Sequence, residues 1–346
     1  MKYRTLGSTN TKVSIICLGT MTWGEQNTEE EGFAQMDFAF NEGVNFFDTA
    51  ELYSVPPRKE TWGSTERIIG KWLKQKKCRE KIILATKVVG RSGMKWFRNE
   101  ETRLNKKQIH EAVNGSLDRL KTDYIDLYQL HWPDRKANFF GKLNYNHEEE
   151  SDFIDLHTQL EAIDELVKAG KIKYIGLSNE TSWGLMKFIS LSEKFNLPKI
   201  VSVQNPYSLL NRSYEVGMAE ISIREKCGLL AYSPLAFGML TGKYDNGVKP
   251  DGARLTLFGN MFTRYTKDKG LKYSLKFNNL ARESGITPTQ MALGFVNSRA
   301  FVTSNIIGAT NLEQLSENIK TSDLKLSEDV LEKIEQIHDE CPFPCP

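Results

Sequence analysis

The sequence predicts a closed (β/α)8 barrel, and three observations carry that expectation. Short apolar, β-rich runs alternate with amphipathic helical stretches about eight times along the 346-residue chain. No long Pro/Gly/Ser linker interrupts the series, so residues 1–340 read as a single domain followed by a 341–346 tail. Strands alternating with helices imply a parallel sheet with helical crossovers, and eight such units favour closure over an open sheet. Third, several apolar runs end on polar, chemically capable residues, as strands opening onto one barrel mouth should.

In chain order, Tyr3 to Val13 holds Gly7, Ser8, Thr9 and Asn10 between short segments and reads as a hairpin capping the start. Val13 to Gly19 is the first inner strand. A helix with Phe33, Met36 and Phe40 on one face follows, and Gly43 stops it. Val44–Phe47 is a buried strand running into Asp48. Ser64 to Lys76 turns Ile68, Ile69, Trp72 and Leu73 inward, and Ile82 to Thr86 is a strand ending at Lys87. The same alternation gives a helix at 106–120, a strand at 124–130 ending at His131, a helix at 155–169 and a strand at 172–177 leading to Ser178. It continues with a helix at 182–194, a strand at 200–204, a helix near 215–225 and a strand at 228–232. A helix from Pro288, a strand around 304–307 and a helix at 312–320 complete the eight units, with a last helix at 327–339. The length beyond the ~250 residues typical of the fold falls in 88–105, 133–153 and 234–272, all after strands and so all at the mouth.

Bulk properties exclude several classes of function. With 46 basic and 44 acidic residues the net charge is +2, too weak a field to recommend nucleic acid or a membrane surface. No apolar stretch approaches the roughly 18 residues of a membrane span, and the N-terminus has no apolar signal core. Five scattered cysteines fit reduced thiols in a cytoplasm. The histidines His110, His131, His147, His157 and His338 show no metal spacing, so no metal is expected.

The strand ends bring together an acid, Asp48, a phenol, Tyr53, an amine, Lys87, and an imidazole, His131. Those types suit reduction of a carbonyl. A phenol is a weak acid near ~10, and an adjacent ammonium stabilises the phenolate and is expected to draw that value down. Asp48 keeps Lys87 charged, His131 orients the substrate oxygen, and Tyr53 protonates it as general acid. No side chain supplies hydride, so a cofactor must. The fingerprint G-x-G-x-x-G after a strand is absent, and Gly238–Lys243 is one residue short of a P-loop.

The chain resembles the aldo-keto reductases over essentially its whole length. The likeness lies in Leu18-Gly19-Thr20-Met21, Asp48-Thr49-Ala50-Glu51-Leu52-Tyr53, Gly170 to Asn179, Gln204-Asn205-Pro206-Tyr207, Tyr232 to Gly238 and Gly308-Ala309-Thr310. Within the family it looks most like the bacterial Tas-type branch and, more distantly, the β subunits of voltage-gated potassium channels. The resemblance implies a catalytic tetrad at Asp48, Tyr53, Lys87 and His131, and NADPH lying across the barrel mouth. Gly19, Thr20, Met21 and Asp48 would border the cofactor. Ser178, Asn179 and Gln204 would bond its carboxamide, and Tyr232 would stack on the nicotinamide. Ser233, Pro234, Leu235 and Gly238 would line the pyrophosphate with Lys243, while Arg254 would take the 2′-phosphate. Gly308 and Thr310 precede a helix N-terminus suited to phosphate, from which Gln314, Glu317 and Asn318 would reach the adenosine.

For the substrate, a small carbonyl compound, the expected walls are Tyr53, His131 and two strand-end indoles, Trp23 and Trp132. The 91–107 loop is basic through Lys95, Arg98, Arg103, Lys106 and Lys107. It reads as a solvated face, or alternatively as a lid over an acidic substrate. Cys341 and Cys345 read as an inert tail. Two other functions remain open from sequence: a non-catalytic NADPH-binding regulatory subunit, and a Schiff-base aldolase using Lys87. Oligomeric state is not encoded legibly.

Overall fold

A computed structural model describes all residues from Met1 to Pro346. Eight parallel strands close a barrel: β3 (Ile16–Gly19), β4 (Phe46–Asp48), β5 (Ile83–Val88), β6 (Ile125–Leu130), β7 (Ile172–Ser178), β8 (Ile200–Pro206), β9 (Gly228–Tyr232) and β10 (Val302–Ile307), the last pairing back onto β3. The antiparallel pair β1 (Tyr3–Thr5) and β2 (Lys12–Ser14) forms the N-terminal hairpin. Its loop glycine, Gly7, has φ +55, and any side chain there would strike the backbone of Val201. Leu6 and Val13 join Phe46, Ala85, Leu127, Val201 and Leu230 in one apolar cluster, so the hairpin plugs the barrel floor. Arg4 fastens it by donating to the carbonyls of Asn297 (2.7 Å) and Arg299 (3.2 Å).

A larger core fills the space between barrel and helices. The helix Ser64–Lys76 illustrates why these segments are helical: Thr65, Ile68, Ile69, Trp72 and Leu73 are buried on one stripe, and the exposed face is polar. Other helices begin with side-chain caps, among them Thr28, Asp155, Thr181, Thr287 and Asn311, each accepting from a backbone N–H of the first turn.

Two features depart from the expectation. The segment near 215–225 forms two short helices, Tyr214–Gly217 and Ala219–Arg224, broken at Met218. A helix not anticipated, Asp268–Glu283, begins inside the 234–272 stretch. Its buried Tyr273, Phe277, Leu280 and Ala281 do fall at helical spacing, but interleaved lysines and asparagines dilute the pattern. The tail is docked: Cys345 is 1 % exposed and its N–H donates to the Leu210 carbonyl (3.0 Å). Burial pushes the Cys345 thiol up to about 12, so it is chemically quiet at neutral pH.

Candidate active site

Strand alternation decides which side chains reach the barrel axis. On β5, Thr86 points outward and bonds Glu66 (2.6 Å), so Lys87 points in. Its Nζ donates to Asp48 Oδ2 (2.7 Å) and to the Thr49 carbonyl (2.7 Å), and lies 3.4 Å from the Tyr53 hydroxyl. Asp48 closes β4, and its other oxygen accepts from Gln129 Nε2 (3.1 Å) and Gln204 Nε2 (2.8 Å). Three donors therefore compensate a carboxylate that is only 2 % exposed. His131 follows β6, and its ring meets that of Tyr53 edge-on at 5.9 Å between centroids.

Electrostatics fix the protonation states. Burial pushes the Tyr53 phenol up, and the opposing pull of Lys87 does not overcome it. This corrects the expectation of a lowered phenol: desolvation outweighs the neighbouring charge. Burial works against the Lys87 ammonium, but Asp48 and Tyr53 more than offset it and leave the amine above its ordinary value. Burial, then the Lys87 charge, holds His131 well below the usual histidine range, so its imidazole is neutral. Its Nδ1 is buried without a partner. At neutral pH the group is thus a protonated phenol, a charged amine and a neutral imidazole, able to donate to an oxygen placed among them.

These residues stand in a cavity of about 1130 Å3 at the C-terminal mouth. Asp48, Tyr53, His131 and Trp132 border it, with Gly19, Thr20, Met21, Ser178, Asn179, Gln204 and Tyr232 along its floor and sides. Ser233, Pro234, Leu235, Gly238, Lys243 and Arg254 extend it one way, and Gly308, Thr310, Gln314, Glu317 and Asn318 line a further stretch. The volume exceeds the ~300–1,000 Å3 usual for one small ligand.

Residues 15–339 match the profile of the Aldo/keto reductase family. The chain belongs to that family. It is 50 % identical to Protein tas of Escherichia coli (strain K12), with all of both chains aligned. It is 36 % identical to an uncharacterized oxidoreductase, YrpG, of Bacillus subtilis, covering 100 % of this chain and 97 % of that one. A putative voltage-gated potassium channel subunit beta of Schizosaccharomyces pombe is 30 % identical over 97 % of this chain and 92 % of its own length. Membership carries oxidoreductase activity on carbonyl compounds.

Within this reductase framework one expected placement is corrected. Trp23 does not face the cavity. It is 0 % exposed, its indole N–H donates to Gln35 (3.1 Å), and its ring packs against Gly32, because the backbone turns at once after Thr20, whose carbonyl accepts from the Trp23 N–H (3.2 Å). The 91–107 loop fits the solvated-face reading rather than the lid: Lys95, Lys106 and Lys107 are exposed, and its cations are paired. Arg98 clamps Glu51 (2.8 Å), Arg103 grips Asp134 (2.7 Å) and Lys107 meets Glu100 (2.8 Å). Asn179 and Gln204 border the cavity, but their amide nitrogens are already engaged. The Tyr232 hydroxyl donates to Asn179 Oδ1 (2.7 Å), and Asn179 Nδ2 donates to the His131 carbonyl (2.9 Å), which fixes the Tyr232 ring.

Sequence reasoning missed Gln129, whose Oε1 accepts from Gln204 (3.1 Å) while its nitrogen serves Asp48. Its alternation with Tyr128 on β6 was the available signal. No cluster of three or more His, Cys, Asp or Glu side chains converges in a metal-holding group, and no helix is long and apolar enough to cross a membrane.

Proposed function

We propose that this protein is an NADPH-dependent reductase of aldehydes and ketones in which Tyr53 is the general acid. The observation that carries the reading is the Tyr53 hydroxyl, 3.4 Å from the Lys87 ammonium and beside His131, on the wall of a cavity large enough for a dinucleotide and a small substrate. NADPH, when bound, supplies the hydride that no side chain can.

The residues present fit that cofactor. Lys243 and Arg254 border the cavity, neither has a carboxylate within salt-bridge reach, and burial pulls both below their usual values, Lys243 further through the Arg254 charge. Two uncompensated cations side by side favour a phosphate ester. Gly308 has open space where a Cβ would project, and the helix Leu312–Lys320 begins just beyond it. Asn318 donates to the Gly308 carbonyl (3.3 Å), and Gln314 accepts from Thr310 (3.0 Å), which holds this loop ready for adenosine phosphate. Tyr232, held by Asn179, offers a fixed ring for the nicotinamide.

The protein's own part in the reaction follows. His131 donates to the carbonyl oxygen and orients it. Tyr53 gives that oxygen its proton as the carbon is reduced, and Lys87 stabilises the phenolate left behind. Asp48, with Gln129 and Gln204, keeps Lys87 charged and in place. The same ion pair disfavours a Schiff-base role, since a protonated amine is not a nucleophile. All five cysteines are unpaired, which supports a reducing compartment such as the cytoplasm.

Two expected outcomes test the scheme. Arg254→Gln raises the Kd for NADPH by about 10- to 100-fold while changing that for NADH by less than about 3-fold; equal loss for both, by fluorescence titration, removes Arg254 from the 2′-phosphate. The second is a pH profile. The acid form of Tyr53 is the active one and its pKa is raised, so kcat/KM for reduction stays level through about pH 6–9 and falls as pH climbs past ~10. Because His131 is neutral throughout, no limb should develop near ~6.5; a loss of activity on acidification through that value contradicts the assigned states.

A further inference from the structure

We propose that Arg264 anchors an anionic group on the substrate, so that the carbonyl compounds this site prefers carry a carboxylate or comparable acid remote from the reacting carbon. The inference rests on the reductase reading and specifies its substrate class. Arg264 borders the cavity, and its guanidinium makes no salt bridge within 4.0 Å. Arginines of the neighbouring mouth loops behave differently: Arg91, Arg98, Arg103 and Arg135 are each matched by a carboxylate. The groups beside Arg264 are two neutral phenols, Tyr232 and Tyr265, whose oxygens face its N–H donors. A half-buried guanidinium held by phenols and bridged to no Asp or Glu keeps its positive charge free for an anion.

Its position relative to the chemistry gives the second argument. An aromatic strip starts at the catalytic imidazole: the His131 and Trp132 rings lie 4.9 Å apart, and Trp132 and Phe140 lie 5.9 Å apart. Gly141 follows Phe140, and a Cβ on Gly141 would stand 2.8 Å from the Pro346 carbonyl oxygen and 3.4 Å from Arg264 Nε. The backbone just past the strip therefore runs beside the guanidinium and the last residue, Pro346. A substrate whose carbonyl sits at His131 and whose apolar body lies along this wall would bring its far end to Arg264. Arg254 is a different site, packed against Phe237 (5.5 Å) and Phe262 (6.0 Å) beside Lys243.

The test uses the NADPH-loaded enzyme and matched probes, 4-carboxybenzaldehyde against 4-formylbenzamide and 6-oxohexanoate against hexanal. The wild type should favour at least one acid over its neutral partner by about 10- to 100-fold in kcat/KM, as for a charge-assisted bond. In Arg264→Gln that ratio should fall to within about 3-fold, mainly through KM, and Arg264→Lys should restore part of it. NADPH affinity, by fluorescence titration, should move by less than about 2-fold. Equal wild-type activity on acid and neutral partners, or a preference that survives Arg264→Gln, overturns the inference and leaves the reductase reading standing. A parallel loss of NADPH affinity and of both probes makes Arg264 a cofactor residue and also overturns it. A wild type that binds NADPH and reduces none of the four probes sinks the reductase reading, and this inference with it.

Discussion

Tyr53→Phe lowers kcat for carbonyl reduction by about 10²- to 10⁴-fold, the range for loss of a general acid. The ring remains, so its edge contact with His131 and its place beside Lys87 persist. Only the hydroxyl is lost, and its sole close partner is Lys87 at 3.4 Å. Folding and NADPH affinity should therefore change little, with Kd within about 2-fold. Steady-state rates and a fluorescence titration on the same preparation separate the two quantities. Unchanged turnover would falsify the assignment of Tyr53 as proton donor.

Lys87→Met has a larger structural effect. The ammonium is 0 % exposed, and removing it leaves Asp48 ionised, buried and supported only by the amides of Gln129 and Gln204. Breaking a buried pair from one side costs about 3–5 kcal/mol, which for a chain of this size is a fall in Tm of roughly 4–7 °C. Turnover should vanish, because the phenolate loses its stabilising charge. Adding Asp48→Asn to this variant removes the uncompensated carboxylate. The double variant should recover part of the lost Tm by calorimetry while remaining inactive. A double variant less stable than Lys87→Met would mean that Asp48 is not held by this pairing.

The legible part of the site was the part written on strands. Side chains alternate along a strand, and every parallel strand delivers its last residues to one mouth, so Asp48, Lys87 and His131 were readable from where their apolar runs stop. Burial was not readable. The Tyr53 pKa was expected to fall, because the sequence shows Lys87 nearby but not the dry surroundings that push the phenol the other way. Charge counts alone left the 91–107 loop open between a solvated face and a lid for a related reason: Arg98 and Arg103 are cations in the sequence and halves of ion pairs in space. Trp23 shares a strand-end position with Trp132, yet the turn after Thr20 sends one indole into the core and leaves the other on the cavity wall. Arg264 lies in the 234–272 stretch between two helices, Arg254–Phe258 and Asp268–Glu283, in a turn whose side-chain directions no periodicity sets.

In the proposed reaction, hydride passes to a carbonyl carbon in this cavity while Tyr53 protonates the oxygen. Its most direct test is a single-turnover experiment with NADPH deuterated at the transferring C4 position and a panel of aldehydes and ketones, read by mass spectrometry of the alcohol. One deuterium is expected on the former carbonyl carbon with the wild type, and almost none over the same interval with Tyr53→Phe. Tight NADPH binding with no deuterium reaching any carbonyl would contradict it, and would instead favour a protein that holds the nucleotide for a regulatory purpose.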